Sequence, residues 1–101
     1  MSVLERSGEA PISMKHFVYI LQTKEGTFYT GMTKNLQARL DLHNQGKGAK
    51  YTKGRRPVKL VYFEELKNFK SAMQREVKIQ SYPRKKKEKL IEEFKANFKN
   101  E

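Results

Sequence analysis

A chain of 101 residues leaves room for one domain, since domains typically hold roughly 100–150 residues, and a two-domain enzyme is excluded. Lysine and arginine number 22 against 11 aspartates and glutamates, a formal charge of +11, so the expected partner is a polyanion. The absence of cysteine removes disulfides, thiolate metal ligands and a cysteine nucleophile together.

Residues 1–13 carry Glu5, Arg6 and Glu9 among little apolar material and lack the apolar centre of a signal peptide, so they read as a disordered leader. Met14 follows directly, and is either the first residue of the natural product or the end of a dispensable extension. One domain is expected over 14–99. The longest apolar run, Phe17 to Leu21, is far short of the roughly 20 residues a membrane span needs, so a soluble, cytoplasmic protein is expected.

His16 to Leu21 is rich in β-branched and aromatic residues and predicts a first strand. Lys24-Glu25-Gly26-Thr27 supplies turn chemistry before a second strand, Phe28 to Met32, which makes a hairpin. Both faces of the first strand are apolar, so helices should cover the sheet on each side. Asn35 suits a helix N-cap, and Leu36, Arg39, Leu40 and His43 then fall on one helical stripe. The helix ends at Asn44-Gln45-Gly46. From there to Lys59 the chain carries Lys47, Lys50, Lys53, Arg55, Arg56 and Lys59 with no acid, interleaved with glycines and Tyr51. Such a segment is either a solvated basic loop or a phosphate-binding one; the skew of the whole chain favours the second, with Tyr51 able to stack on a base.

Pro57 opens a third strand, Val58 to Phe63. Asn68 to Ser71 can cap a second helix with Ala72, Met73, Glu76, Val77 and Ile79 on adjoining turns, Glu76 standing where the stripe would want a hydrophobe. Pro83, with Ser81 as a cap, suits the start of a third helix whose apolar seam is Leu90, Ile91, Phe94 and Phe98. The order is ββαβαα, an α+β class.

Arg39 and Glu76 are thus charged side chains on the inner stripes of two different helices, a placement that costs several kcal/mol when the groups are desolvated and unpaired. Either they pair with each other or they form a functional site. Tyr19 and Tyr29, on adjacent strands of one hairpin, either fill the core or share a site. His43, one turn beyond Arg39, is either a proton carrier or phosphate ligand, or a histidine hydrogen-bonded near the helix end. A zinc site is disfavoured, since His16 and His43 are the only imidazoles.

Val18-Tyr19-Ile20, the ten-residue interval to Tyr29-Thr30-Gly31, Arg39 on the following helix and Glu76 on a later one resemble the GIY-YIG nuclease domain. His43-Asn44-x-Gly46-x-Gly48-Ala49-x-Tyr51-Thr52 with Arg55-Arg56-Pro57 is similar to its small stand-alone bacterial branch, related to structure-specific nucleases of repair and junction processing. The resemblance spans about Lys15 to Arg84. It implies a three-stranded antiparallel sheet flanked by helices and a metal-dependent endonuclease hydrolysing DNA phosphodiester bonds, branched DNA among them, with low sequence specificity. It also implies that Glu76 binds a single Mg²⁺ or Mn²⁺, that Arg39 grips the scissile phosphate, and that Tyr19 and Tyr29 order the attacking water, Tyr19 being favoured as general base. Phe17 and Val18 stand in place of the family's Gly-Ile, Thr30 in place of Ile, and Met32 where several relatives carry Lys. Asn97 and Asn100 are the only candidates for a late asparagine. The alternative is a catalytically weak or inactive module that binds nucleic acid through the same basic surface. No second, targeting domain is expected, so site choice is expected to come from DNA shape or from a partner protein, or to be weak, and residues 82–99 are the candidate docking segment for such a partner.

Overall fold

The structure, a computed structural model, describes residues 15–99. The expected leader at 1–13, Met14 and Asn100 lie outside the described residues, as does the side chain of Phe98. The elements are β1 (His16–Gln22), β2 (Phe28–Thr33), α1 (Leu36–Asn44), α2 (Lys50–Lys53), β3 (Lys59–Leu66), α3 (Phe69–Gln80) and α4 (Arg84–Lys99). The sequence order therefore holds, with one turn of helix added inside the basic segment. The third strand also runs on to Leu66, beyond the expected end at Phe63.

β1 lies at the centre of a three-stranded antiparallel sheet of order β2-β1-β3. Its position explains its sequence, because a central strand covered on both faces needs apolar side chains in both directions. On one face Val18 and Ile20 join Val61, Ala72, Ile79 and Ile91, contributed by β3, α3 and α4. On the other, Tyr19 and Leu21 pack with Val58, Leu36 and Leu40 under α1. Each fully buried large aliphatic contributes roughly 1.5–3 kcal/mol. The β1–β3 register shifts between Ile20 and Leu21, so Val61 and Tyr62 both turn toward the α3–α4 face.

Local chemistry fixes the connections. Gly26 takes φ +89° in the β1–β2 turn and Gly46 φ +83° after α1, a region glycine enters at no steric cost. Asn35 accepts from Ala38 N–H at 3.0 Å, and Asn68 from Ser71 N–H at 2.8 Å, so both expected N-caps form. Ser81 acts differently from expectation: it closes α3, its hydroxyl donating to the Lys78 carbonyl at 2.6 Å. Inside α3, Ala72 and Ile79 are buried while Met73 and Val77 are 43% and 59% exposed. The packed face is narrower than the expected stripe. In α4, Ile91 is buried, Leu90 packs on the same core, and Phe94 meets Tyr62 and Phe63 ring to ring.

Candidate active site

The register places Tyr19 opposite Gly31 and Tyr29 opposite Leu21. Residues two apart share a sheet face, so both tyrosines project to the α1 side, with ring centroids 6.5 Å apart. Gly31 makes this possible: a Cβ there would lie 2.5 Å from the Tyr19 hydroxyl oxygen and 3.2 Å from the Tyr29 ring. The Tyr19 ring therefore lies across the strand that carries Tyr29.

α1 brings His43 onto the same pair. Its ring centroid is 5.2 Å from that of Tyr29 and 6.0 Å from that of Tyr19, and its Nε2 lies 3.1 Å from the Tyr19 hydroxyl. The other nitrogen, Nδ1, lies 2.8 Å from the Thr52 hydroxyl on α2. His43 and Thr52 are fully buried. Gly48 clears the space, since a Cβ there would meet Nδ1 of His43 at 2.4 Å. Burial, and then the nearby charge of Arg39, push the imidazole below its ordinary value, so the ring is neutral near pH 7. Burial holds the Tyr19 phenol far above its ordinary value, with the neighbouring Tyr29 and Glu76 adding to the rise and Arg39 opposing it. Tyr29 is raised by burial and by Glu76 and lowered by Arg39.

Arg39 is carried by α1, which packs on one face of the sheet, and Glu76 by α3, which packs on the other, and both bear electrostatically on the two phenols. Both are half-buried, and among the described residues neither side chain makes an ion pair or hydrogen bond. The reading in which they neutralise each other is not realised. Burial pushes the Glu76 carboxyl upward, as expected of a carboxylate without a protein cation to hold it.

The basic segment divides into two kinds of cation. Lys47, Lys50 and Lys53 are exposed, and their ammonium groups have no polar protein partner among the described residues. Arg55 and Arg56 serve the scaffold. Arg55 donates to the Tyr51 carbonyl at 2.7 Å, pairs with Glu25 at 3.1 Å and lies 4.0 Å over the Tyr51 ring. Arg56 donates to the carbonyls of Lys53 and Asn44 at 2.8 and 3.4 Å. Tyr51 in turn stacks on Tyr29 at 6.3 Å and 18°, which extends the aromatic cluster outward to solvent. Beside it, Lys24, Asn44, Lys53, Gly54, Arg56 and Pro57 line an open cleft of about 530 Å³.

Of the residues that sequence reasoning singles out, Tyr19, Tyr29 and His43 meet on the α1 face, while Arg39 and Glu76 bear on the two phenols electrostatically. Sequence reasoning attaches no role to Thr52 or Gly31, nor to Lys24 in the cleft, and it reads Gly48 as a glycine that lets the backbone approach an anion, whereas the structure packs it against the His43 ring. It also misses Asn44, whose side-chain amide accepts from Val58 N–H at 2.8 Å and donates to the Val58 carbonyl at 3.1 Å, tying α1 to the start of β3.

A family model described as the GIY-YIG catalytic domain matches residues 15–89. The chain belongs to the GIY-YIG family. A UPF0213 protein of Staphylococcus haemolyticus is 53% identical over 79 residues, covering 78% of this chain and 96% of that one. One from Staphylococcus epidermidis is 52% identical with the same coverage. The solution NMR structure of a UPF0213 protein from Bacillus halodurans is similar at a TM-score of 0.51 and 43% identity, over 78% of this chain and 84% of that one. This GIY-YIG domain accordingly has the three-stranded antiparallel sheet and flanking helices expected of it, and among its described residues no helix is long and apolar enough to cross a membrane.

Proposed function

We propose that the protein is a metal-dependent endonuclease that hydrolyses nucleic-acid phosphodiester bonds, with DNA as substrate and branched DNA included. The observation that carries this reading is the pair Arg39 and Glu76: two charged side chains from different layers, neither engaged by the protein, acting on the same two phenols. A merely structural pair would have closed on itself, and a pure binding surface would have no use for an unpaired carboxylate among its cations.

The donor set suits a hard divalent cation. Glu76 is a lone carboxylate, and among the described residues no group of three histidines, aspartates or glutamates is assembled to cage a metal. Mg²⁺, and Mn²⁺ like it, is commonly held by one or two carboxylates with water and substrate phosphate completing the shell, so Glu76 is the residue that would hold it. When bound, such an ion supplies charge neutralisation at the phosphate and at the departing 3′ oxygen.

The chain's own groups supply the rest. Arg39 offers a guanidinium fork to the scissile phosphate and stabilises the charge that grows on it. Tyr29, whose hydroxyl has no protein partner among the described residues, holds the attacking water. Tyr19 accepts that water's proton as its own hydroxyl proton passes to Nε2 of His43, so the phenol never has to ionise alone against its burial. The water oxygen bonds to phosphorus as the bond to the 3′ oxygen breaks, and that oxygen is protonated from solvent. Lys47, Lys50 and Lys53 hold the flanking backbone, with Tyr51 at the edge of the site.

The test is nicking of plasmid and branched duplex by the purified protein with Mg²⁺ or Mn²⁺. Cleavage that Glu76→Ala abolishes in a folded protein is the expected result. A wild type that binds DNA but stays inert across metals and substrates would overturn the reading in favour of a binding module.

A further inference from the structure

The Tyr19–His43 contact has a direction that depends on which imidazole nitrogen carries the proton. Neutral imidazole has one donor nitrogen and one acceptor nitrogen. If Nε2 carries the hydrogen, His43 donates to the phenol oxygen and cannot take a proton from it. If Nδ1 carries it, Nε2 presents a lone pair to the Tyr19 hydroxyl. The choice is therefore made at the far side of the ring, by whatever Nδ1 meets.

Nδ1 meets Thr52. The hydroxyl of Thr52 lies 2.8 Å from Nδ1 and 3.2 Å from the Ala49 carbonyl oxygen, a group that can only accept. A hydroxyl proton directed to that carbonyl leaves only lone pairs for the ring. We infer that Thr52 is a positioning residue that fixes His43 as the Nδ1–H tautomer and thereby aims the Nε2 lone pair at the Tyr19 hydroxyl. The chain Tyr19 O–H to His43 Nε2, His43 Nδ1–H to Thr52, Thr52 O–H to the Ala49 carbonyl then runs in one direction from the site into the backbone. The single turn of α2 holds this hydroxyl in place: it spans Lys50–Lys53, Ala49 is its N-cap, and Thr52 is its one buried side chain. Gly48 is the space requirement of the same arrangement, because any Cβ there would lie 2.4 Å from Nδ1.

This inference rests on the nuclease reading for its catalytic consequence but not for its structural content, and two readouts separate them. The first is nitrogen NMR of the full chain near neutral pH. His43 should show a protonated-type signal at Nδ1 and a bare, acceptor-type signal at Nε2. The second is kinetics of Thr52→Val, which keeps the shape and loses the acceptor, and of Thr52→Ser, which keeps the acceptor. With the valine variant the proton should shift to Nε2 and kcat should fall by about 10- to 100-fold at unchanged KM, the range for losing an outer-shell hydrogen-bond partner of a ligating histidine. Serine should restore both the spectrum and the rate. A wild-type ring protonated at Nε2, or a valine variant with unaltered tautomer and rate, overturns the proposal. Should the valine variant fail to fold, the wild-type spectrum and the serine rate still decide it. A wild type that cleaves nothing yet shows the Nδ1–H ring removes the nuclease reading while the tautomer assignment stands.

Discussion

Arg39 and Glu76 act on the same pair of phenols from opposite layers of the sheet without touching each other. Arg39 lowers the titration of Tyr19 and Tyr29, and Glu76 raises it. Two opposite charges left unpaired beside one pair of phenols form an arrangement that a phosphate and a cation would complete, the anion against Arg39 and the cation against Glu76.

The Glu76→Gln variant tests that arrangement through both activity and stability. Cleavage should fall by at least about 10²-fold, since a catalytic metal contributes several kcal/mol to the transition state. Stability should move the other way. Burial raises the Glu76 carboxyl above its ordinary value near 4.5. A group whose folded value is raised contributes fully below the unfolded value and loses that contribution as pH climbs through the folded value. The glutamine variant should therefore gain in melting temperature over wild type at pH 7, with the gain vanishing near pH 4 in metal-free buffer. A variant less stable than wild type at pH 7 would mean that the ionised carboxylate has a stabilising partner.

Gly31→Ala probes the geometry rather than the charge. The added methyl would sit 2.5 Å from the Tyr19 hydroxyl oxygen and 2.7 Å from the ring carbon that bears it. The ring cannot swing away without opening the contact with His43, so the variant should lose about 1–3 kcal/mol in urea unfolding and nearly all cleavage. Unchanged unfolding and activity would show that the Tyr19 ring has room to move aside.

For the basic surface, lysines and arginines should behave differently. Replacing Lys47, Lys50 and Lys53 with glutamine removes charges that no carboxylate or carbonyl of the described residues engages. DNA affinity should drop, with thermal stability unchanged. The slope of log affinity against log salt should shrink by about 0.9 for each phosphate the protein ceases to neutralise. Arg56→Gln removes a guanidinium that closes the Lys53 and Asn44 carbonyls. It should cost roughly 0.5–1.5 kcal/mol of stability as well as affinity. Equal stability losses from both sets would mean that the lysines also hold the fold.

How much of this was legible in the sequence follows from the range of each interaction. The hairpin, the Asn35 and Asn68 caps and the α1 stripe depend on neighbours within a turn, and spacing alone exposes them. Arg39 and Glu76 stood out because a charge on an inner stripe contradicts its surroundings. Thr52 did not, since a threonine in a polar, glycine-rich segment looks like ordinary turn chemistry until α2 places its hydroxyl against a residue on another helix. The scaffold role of Arg55 and Arg56 was hidden, because charge is visible in sequence and carbonyl partners are not. The width of the α3 stripe was likewise hidden: Met73 and Val77 fit the helical period, but only the packing of α3 on β1 and β2 decides which part of an apolar arc meets the sheet.

Thr30→Val carries the last prediction. The Thr30 hydroxyl is buried on β2 and, alone among the buried side-chain polar atoms of the described residues, has no hydrogen-bond partner. Its backbone carbonyl accepts from the Gln80 side chain at 3.4 Å, a contact the substitution leaves in place. Valine keeps the β-branched shape that suits a strand and removes a buried polar atom whose lost hydration costs about 1–3 kcal/mol. Stability in urea should rise by about 1 kcal/mol, while the α1-side cluster of Tyr19, Tyr29 and His43, on the opposite sheet face, keeps its activity. A loss of stability would show that a water satisfies the hydroxyl from the α3 side. A loss of activity with stability intact would place Thr30 in contact with the Glu76 end of the site, where α3 crosses the same strand.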